Sequence, residues 1–331
     1  MRKRRFCLLL AGLLILLPAC GQQNGQPVSE PADGAGSYGD EISGGQQDLA
    51  LVRFTDGLGR QVEVQQPQRV AAVMGSFAQT WLLAGGKLAA VTQDALDERD
   101  LELDGSTANL GAMKSPDVEQ MLALDVDFVI LSANVAEHVK LQETLEAAGI
   151  AAAYFDVETF DEYLDMLKIC TDITGRADLY EQNGTAVQEQ IDRAVGKSQG
   201  KPQPKVLFIR AYSTGAKAKG SDSMTGTMLK ELGCVNIADQ DAGLLEDLSM
   251  EEIIRQDPDF IFVTTMGASD EKAMEALAQG IQSNPAWAEL TAVKEGRYIL
   301  LPKELFHNKP NNRWGESYEI LAEYLYGEKT E

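Results

Sequence analysis

The chain has 331 residues, with 51 Asp and Glu against 29 Lys and Arg, for a formal net charge of −22. That balance excludes a nucleic-acid footprint and a basic membrane-binding face, because both need clustered Lys and Arg. The four cysteines carry no spacing that marks a redox pair or a metal site.

Residues 1–5 (Met-Arg-Lys-Arg-Arg) form a basic lead into an apolar run over residues 6–19. A membrane span takes about 20 apolar residues, so this shorter run suits the core of a secretion signal. It closes on Leu17-Pro18-Ala19-Cys20-Gly21, which resembles a bacterial lipobox, and Cys20 is the expected lipidated N-terminus of the mature chain. A diacylglyceryl group supplies the two acyl chains that stable anchoring requires, so the expected location is extracytoplasmic and membrane-anchored. Loss of Arg2, Lys3, Arg4 and Arg5, and of no acid, takes the charge from −22 to −26. Cys7 leaves with the signal, while Cys170 and Cys234 sit in apolar contexts and read as buried free thiols. The glycine-rich stretch 20–49 lacks large apolar side chains and reads as a flexible tether. Its Gly34-Ala-Gly36-Ser-Tyr-Gly39 matches G-x-G-x-x-G, but no strand precedes it and no helix follows, so it is no dinucleotide fingerprint.

The body begins with a glycine-turned hairpin, Phe54-Thr-Asp-Gly57-Leu-Gly59-Arg60 followed by 61–64. Strands are expected at 69–73, 88–91, 128–131 and 150–155, with helices at 77–84, 116–124 and 139–148. A second series follows, with strands at 205–209, 234–238, 260–263 and 298–301 and helices at 225–232, 250–256 and 272–279. Alternating strands and helices argue parallel sheets, twice over. Ser115–Ser132 and Leu248–Thr265 echo each other at an offset of 132 residues, with Glu119 on Glu251, Leu122 on Ile254, Asp127 on Asp259 and Phe128 on Phe260. Between the series, helices are expected over 160–173 and 176–197, the second weakened at Asn183-Gly184, and a last amphipathic helix closes the chain at 313–326. The resulting division is signal 1–19, tether 20–49, N-terminal lobe 50–158, helical linker 159–200 and C-terminal lobe 201–331.

After the lipobox, the chain carries in order Thr55-Asp-Gly-Leu-Gly-Arg60, Pro67-Gln-Arg-Val70, Glu119 with Asp127, Asn236-Ile-Ala-Asp239, Leu248-Ser-x-Glu251, Asn284-Pro-Ala-Trp287 and Gly296-Arg-Tyr298. This ordered set, with a match over residues 53–326, resembles the substrate-binding lipoproteins of ABC importers for iron-siderophores, haem and cobalamin. The resemblance implies an α/β fold of two Rossmann-like lobes with parallel sheets, joined by a single long α-helix, with ligand held in the cleft between them. It also implies a monomer that delivers its ligand to a permease driven by ATPase subunits. Glu119 and Glu251 match the family's docking glutamates, one per lobe, which meet arginine pockets of the permease.

In such folds ligand groups come from the carboxyl ends of the parallel strands. The candidates are Ser76, Phe77, Gln93, Asn109, Met113 and Asn134 in the first lobe, and Arg210, Tyr212, Lys219, Met266, Phe306, His307 and Arg313 in the second. Lys217, Lys309 and Asn311 fall in the same expected loops. Cations gathered there in so acidic a chain point to a ligand with carboxylates or other anionic groups, an iron chelate before a corrinoid. His307 is the candidate axial or chelating ligand to a bound metal complex, while His138 is expected on the surface and Trp314 in the packing of the last helix. The acids Asp94, Asp97, Asp100 and Asp104 lack calcium-loop spacing and read as a solvated loop. Two histidines are too few for a bare zinc or manganese site, and no G-x-S-x-G, H-E-x-x-H, C-x-x-C or P-loop supports an enzyme. A lipoprotein that presents its ligand to a sensor is the remaining alternative, and it has no use for paired docking glutamates.

Overall fold

The computed structural model describes residues 51–327. Cys20, the signal and the tether therefore lie outside the described residues. The first lobe opens with a hairpin of β1 (Val52–Thr55) and β2 (Gln61–Val64), antiparallel with Val52 opposite Val64. Its turn is pinned by Asp56, whose carboxylate accepts the Leu58 and Arg60 amides at 3.0 Å and the Arg60 guanidinium at 2.7 Å. Arg60 also donates to the Ala152 carbonyl and lies 4.6 Å from the Tyr154 ring centre, so the hairpin is stapled to the sheet. Gly57 makes the staple possible, because a Cβ there would stand 3.0 Å from the Tyr154 carbonyl oxygen.

The sheet that follows contains β3 (Val70–Ala72), β4 (Leu88–Val91), β5 (Ala108–Asn109), β6 (Phe128–Ser132) and β7 (Ala151–Phe155) in the order β5-β4-β3-β6-β7, all parallel. The chain winds outward from β3 in one direction and then returns to wind in the other. The reversal opens a crevice at the carboxyl ends of β3 and β6.

The second lobe repeats the plan. β8 (Lys205–Tyr212), β10 (Val235–Asn236), β11 (Phe260–Met266) and β12 (Tyr298–Leu300) run parallel in the order β10-β8-β11-β12, so the equivalent crevice opens between β8 and β11. One addition, β9 (Gly215–Ala218), folds back antiparallel on the end of β8, with Lys217 opposite Arg210. Lys217 therefore stands on a strand and not in the expected loop. The central strands are apolar through their middles, where helices pack on the sheets, and turn polar toward their carboxyl ends at Ser132, Arg210, Thr264 and Thr265.

The echo in the sequence is an echo in structure. The helices Val118–Ala123 and Met250–Gln256 begin at matching positions, capped by Asp117 and Ser249. Each is followed by an aspartate with positive φ, Asp125 at 51° and Asp257 at 43°. Asp127 then accepts the Gln68 and Arg69 amides while Asp259 accepts that of Lys205, which ties each β6-type strand to the start of its neighbour.

Two expectations need revision. The strand expected over 234–238 ends after Asn236, whose side chain accepts the Ala238 amide and starts the short helix Ile237–Gln240. The helix expected over 139–148 is two pieces, Ala136–Val139 and Gln142–Ala147.

The linker starts at Phe160–Thr174, opened by a Thr159/Glu162 capping box and closed by Gly175 at φ 71°. A second helical run then crosses to the C-terminal lobe as Ala177–Tyr180, a π-turn over Glu181–Thr185, and Ala186–Gly196. The last helix, Trp314–Tyr326, packs back along it. One apolar core runs from Phe128 and Phe155 through Phe160, Ile191 and Trp314 to Phe208 and Leu229, so the lobes share an interior. Cys170 and Cys234 are both free and buried, and burial pushes their thiols well up, Cys234 to about 12.

Candidate functional site

On the second lobe, the carboxyl ends of β8 and β11 set Arg210 beside Thr264 and Tyr212 beside Met266 in register. The short helix Lys303–Phe306 brings His307 against this edge. Among the described residues four buried side-chain polar atoms have no partner, and three of them meet here: Arg210 Nε, Thr264 Oγ1 and His307 Nδ1. Native interiors satisfy nearly all buried polar groups, so a cluster of orphans marks a place where something else completes the bonding. Burial lowers the Arg210 guanidinium, and burial with the nearby charges of Arg210, Lys303 and Lys309 pushes His307 down to about 4. His307 is thus a neutral imidazole at neutral pH, set among cations. Lys303 donates to the Gly267 carbonyl at 2.5 Å, and Met266 is exposed. These groups can receive anionic oxygens through Arg210 and the lysines and offer a neutral nitrogen to a metal or a hydroxyl.

The first lobe contributes amides and backbone. Gln93 accepts from the Asn109 amide at 2.6 Å, and Asn134 donates to Asp156. Ser76 is buried at the start of the helix Gly75–Leu83, its carbonyl taken by Asn311 at 2.9 Å. Asp94 accepts the Gly75 amide at 2.6 Å and the Thr92 hydroxyl at 2.6 Å, so the positive end of that helix is already met by a carboxylate of the protein. It is no solvated loop acid.

His138 is fully buried and not on the surface as its sequence position suggested. Its Nδ1 accepts the Ser132 amide at 3.1 Å and its Nε2 reaches the Met113 carbonyl at 2.8 Å, which clamps two cleft loops to each other. Phe77 and Phe306 are 1% and 0% exposed, packed in the shared core, and offer a ligand no surface. They were expected to line the cleft because each follows a strand end, yet each faces inward where its helix meets the sheet. Asn311 is likewise buried as a latch, bonded to Ser76 and Gln79 of the first lobe. Arg313 is held by two bonds to Glu316 at 2.7 and 2.9 Å. Lys219 is half-buried, and its carbonyl receives the Asn236 amide.

The segment His307–Asn311 is gripped from the first lobe by groups that sequence reasoning missed. Arg99 donates to the Lys309 carbonyl at 2.7 Å and to Gln79 at 2.9 Å, and burial pushes its guanidinium down to about 10. Glu158 holds the Lys309 ammonium at 3.2 Å. Nothing in the acid-rich run around Arg99 signals a half-buried strut, because the Lys309 carbonyl it holds lies far along the chain.

Glu119 and Glu251 are exposed on the first turns of matching helices. Each helix runs back between parallel strands, so its N-terminus lies at the carboxyl ends of the strands, the side on which each crevice opens. Leu122 and Ile254, one turn on from these glutamates, are each 46% exposed.

Two open α/β lobes meeting at paired switch points, with unsatisfied polar groups in one wall, describe a bilobal solute-binding protein. The periplasmic binding protein family profile matches residues 70–305, and the chain belongs to that family. It is 27% identical over 207 residues to the petrobactin-binding protein YclQ of Bacillus subtilis (strain 168), across 60% of this chain and 62% of that one. It is 25% identical over 196 residues to the "Probable siderophore-binding lipoprotein YfiY" of the same organism, across 57% and 59%. The matched regions thus span about three fifths of these curated relatives. Among solved structures, the siderophore binding protein BauB, bound to two molecules of acinetobactin and ferric iron, superposes with a TM-score of 0.67 at 18% identity, over 84% of this chain and all of that one.

Proposed function

We propose that this protein is the extracytoplasmic binding component of an ABC importer and captures an anionic ferric siderophore between its lobes. The observation that carries this reading is the corner of Arg210, Thr264 and His307, where three buried polar atoms lack partners beside Lys303 and Lys309. Carboxylate or catecholate oxygens of a chelate would complete the guanidinium and hydroxyl, while Tyr212 and Met266 supply apolar contact. The printed functions of the two relatives, petrobactin binding and siderophore binding, support the ligand class. Cys20 would carry the lipid that tethers the protein to the membrane, a reading supported by the second relative being named a lipoprotein. Glu119 and Glu251, with Leu122 and Ile254 beside them, would face the permease.

The test is a tryptophan-quenching titration of purified residues 50–331 with ferric petrobactin, haemin and cobalamin. Ferric petrobactin is expected to bind, and Arg210→Gln to weaken it by about tenfold or more, as loss of a charge-assisted contact requires. Binding unaffected by Arg210→Gln, or seen with cobalamin alone, would sink the reading. Haem stands second, because the neutral His307 with its unpartnered Nδ1 could ligate iron. A Soret band that His307→Ala abolishes would favour it.

A further inference from the structure

The ion pair between Lys309 and Glu158 lies at the same wall as the orphaned groups. Lys309 belongs to the segment that follows His307, and its side chain is only 19% exposed, whereas that of Glu158 is 50% exposed. Each partner's backbone is fixed independently. The Lys309 carbonyl is held by Arg99 at 2.7 Å, and the Glu158 amide donates to Glu162 at 2.7 Å in the first turn of the linker. The cation is therefore the more enclosed partner, and the carboxylate is the one with room to swing into solvent. Glu158 also acts on Arg210, whose charge it favours, so its carboxylate lies within electrostatic range of both cations.

We propose that Glu158 is a built-in counter-anion of the cleft: with no ligand bound its carboxylate holds Lys309, and an arriving ligand must displace it. The proposal rests on the anionic-ligand reading above and adds a determinant of specificity to it. A chelate with several anionic oxygens replaces the carboxylate at Lys309 and completes Arg210 in the same step. A neutral or cationic chelate gains nothing from the displacement and leaves the pair intact. Because the Glu158 carboxylate is half-exposed, the pair contributes little and an anionic ligand displaces it at small cost. Glu158 thus filters ligands by charge without touching the metal.

The experiment compares wild type, Glu158→Gln, Lys309→Gln and the double variant, with ferric petrobactin as the anionic probe and the cationic ferrioxamine B as the control. Thermal melts establish that each variant is folded. Glu158→Gln is expected to lower the Kd for ferric petrobactin about fivefold, to leave ferrioxamine B no better bound, and to lose its effect in the Lys309→Gln background. An unchanged or raised Kd for ferric petrobactin in Glu158→Gln overturns the proposal alone. Failure of wild type and Glu158→Gln alike to bind the anionic probe overturns the cleft reading and this proposal with it. Binding detected only in Glu158→Gln supports both.

Discussion

His307 shows how one residue inherits its chemistry from its neighbours. Burial disfavours its charged form, and Arg210, Lys303 and Lys309 disfavour it further. Its folded pKa of about 4 lies below the ordinary 6.5, so between those values the unfolded chain takes a proton that the folded protein refuses. Its contribution to stability is complete above pH 6.5 and is lost as pH falls toward 4. His138 is lowered in the same direction by burial between Ser132 and Met113. Melting temperature is therefore expected to decline between pH 7 and pH 5, and His307→Gln to make that decline shallower. A decline of equal steepness in the variant would show that His307 is freely protonated in the folded protein.

At the level of elements, two helices owe their placement to a glycine. A Cβ on Gly75 would stand 2.9 Å from the Ala95 Cα and 3.1 Å from the Asp94 carboxylate that receives the Gly75 amide. Gly75→Ala is expected to cost about 1–3 kcal/mol, read by urea unfolding, because backbone atoms and not a flexible side chain must move. A loss below about 0.5 kcal/mol would mean that the Thr92–Asp97 segment is free to retreat. In the linker, Gly184 lets the crossing helix approach Leu164 and Leu167, and the π-turn there frees the Asn183 carbonyl for the Tyr163 hydroxyl at 3.0 Å. The Asn183 side chain in turn donates to the Leu83 carbonyl at 3.0 Å. The sequence reading of Asn183-Gly184 as a weak point located the irregularity. It could not show that the extra residue in the turn ties the linker to the first lobe.

For the whole molecule, the shared core joins the lobes through packed side chains, and Arg99 and Asn311 add polar ties at the base of the cleft. Two repeats fixed in this way present their acid-plus-apolar pairs in a constant relation. One exposed ion pair is worth about 0.2–1 kcal/mol, but two at a set spacing can dictate register and orientation on a partner. Glu119→Ala combined with Glu251→Ala is expected to abolish uptake of radiolabelled ferric chelate in cells while leaving solution affinity unchanged, and Leu122→Ser with Ile254→Ser to reduce uptake in the same manner. Loss of affinity in either double variant would place these residues in ligand capture and refute docking.

Local pattern carried much of this protein. Alternating apolar periods located most of the strands and the longer helices, though not the short strands Ala108–Asn109 and Gly215–Ala218; the helix expected over 250–256 is the one observed at Met250–Gln256, and the 132-residue echo announced paired lobes. These features are legible because a strand or helix needs only its own neighbours to declare its period. The interior of the site was not. His138 became a clamp, Asp94 a helix cap, Arg99 a strut and Glu158 a counter-anion through partners brought close only by the fold, as Lys309 is for Arg99 and Glu158. Phe77 and Phe306 were lost to the core for the same reason. Periodicity reports which face of an element is apolar; burial, charge and bonding at a cleft depend on which distant segments meet there, and only the packed chain decides that.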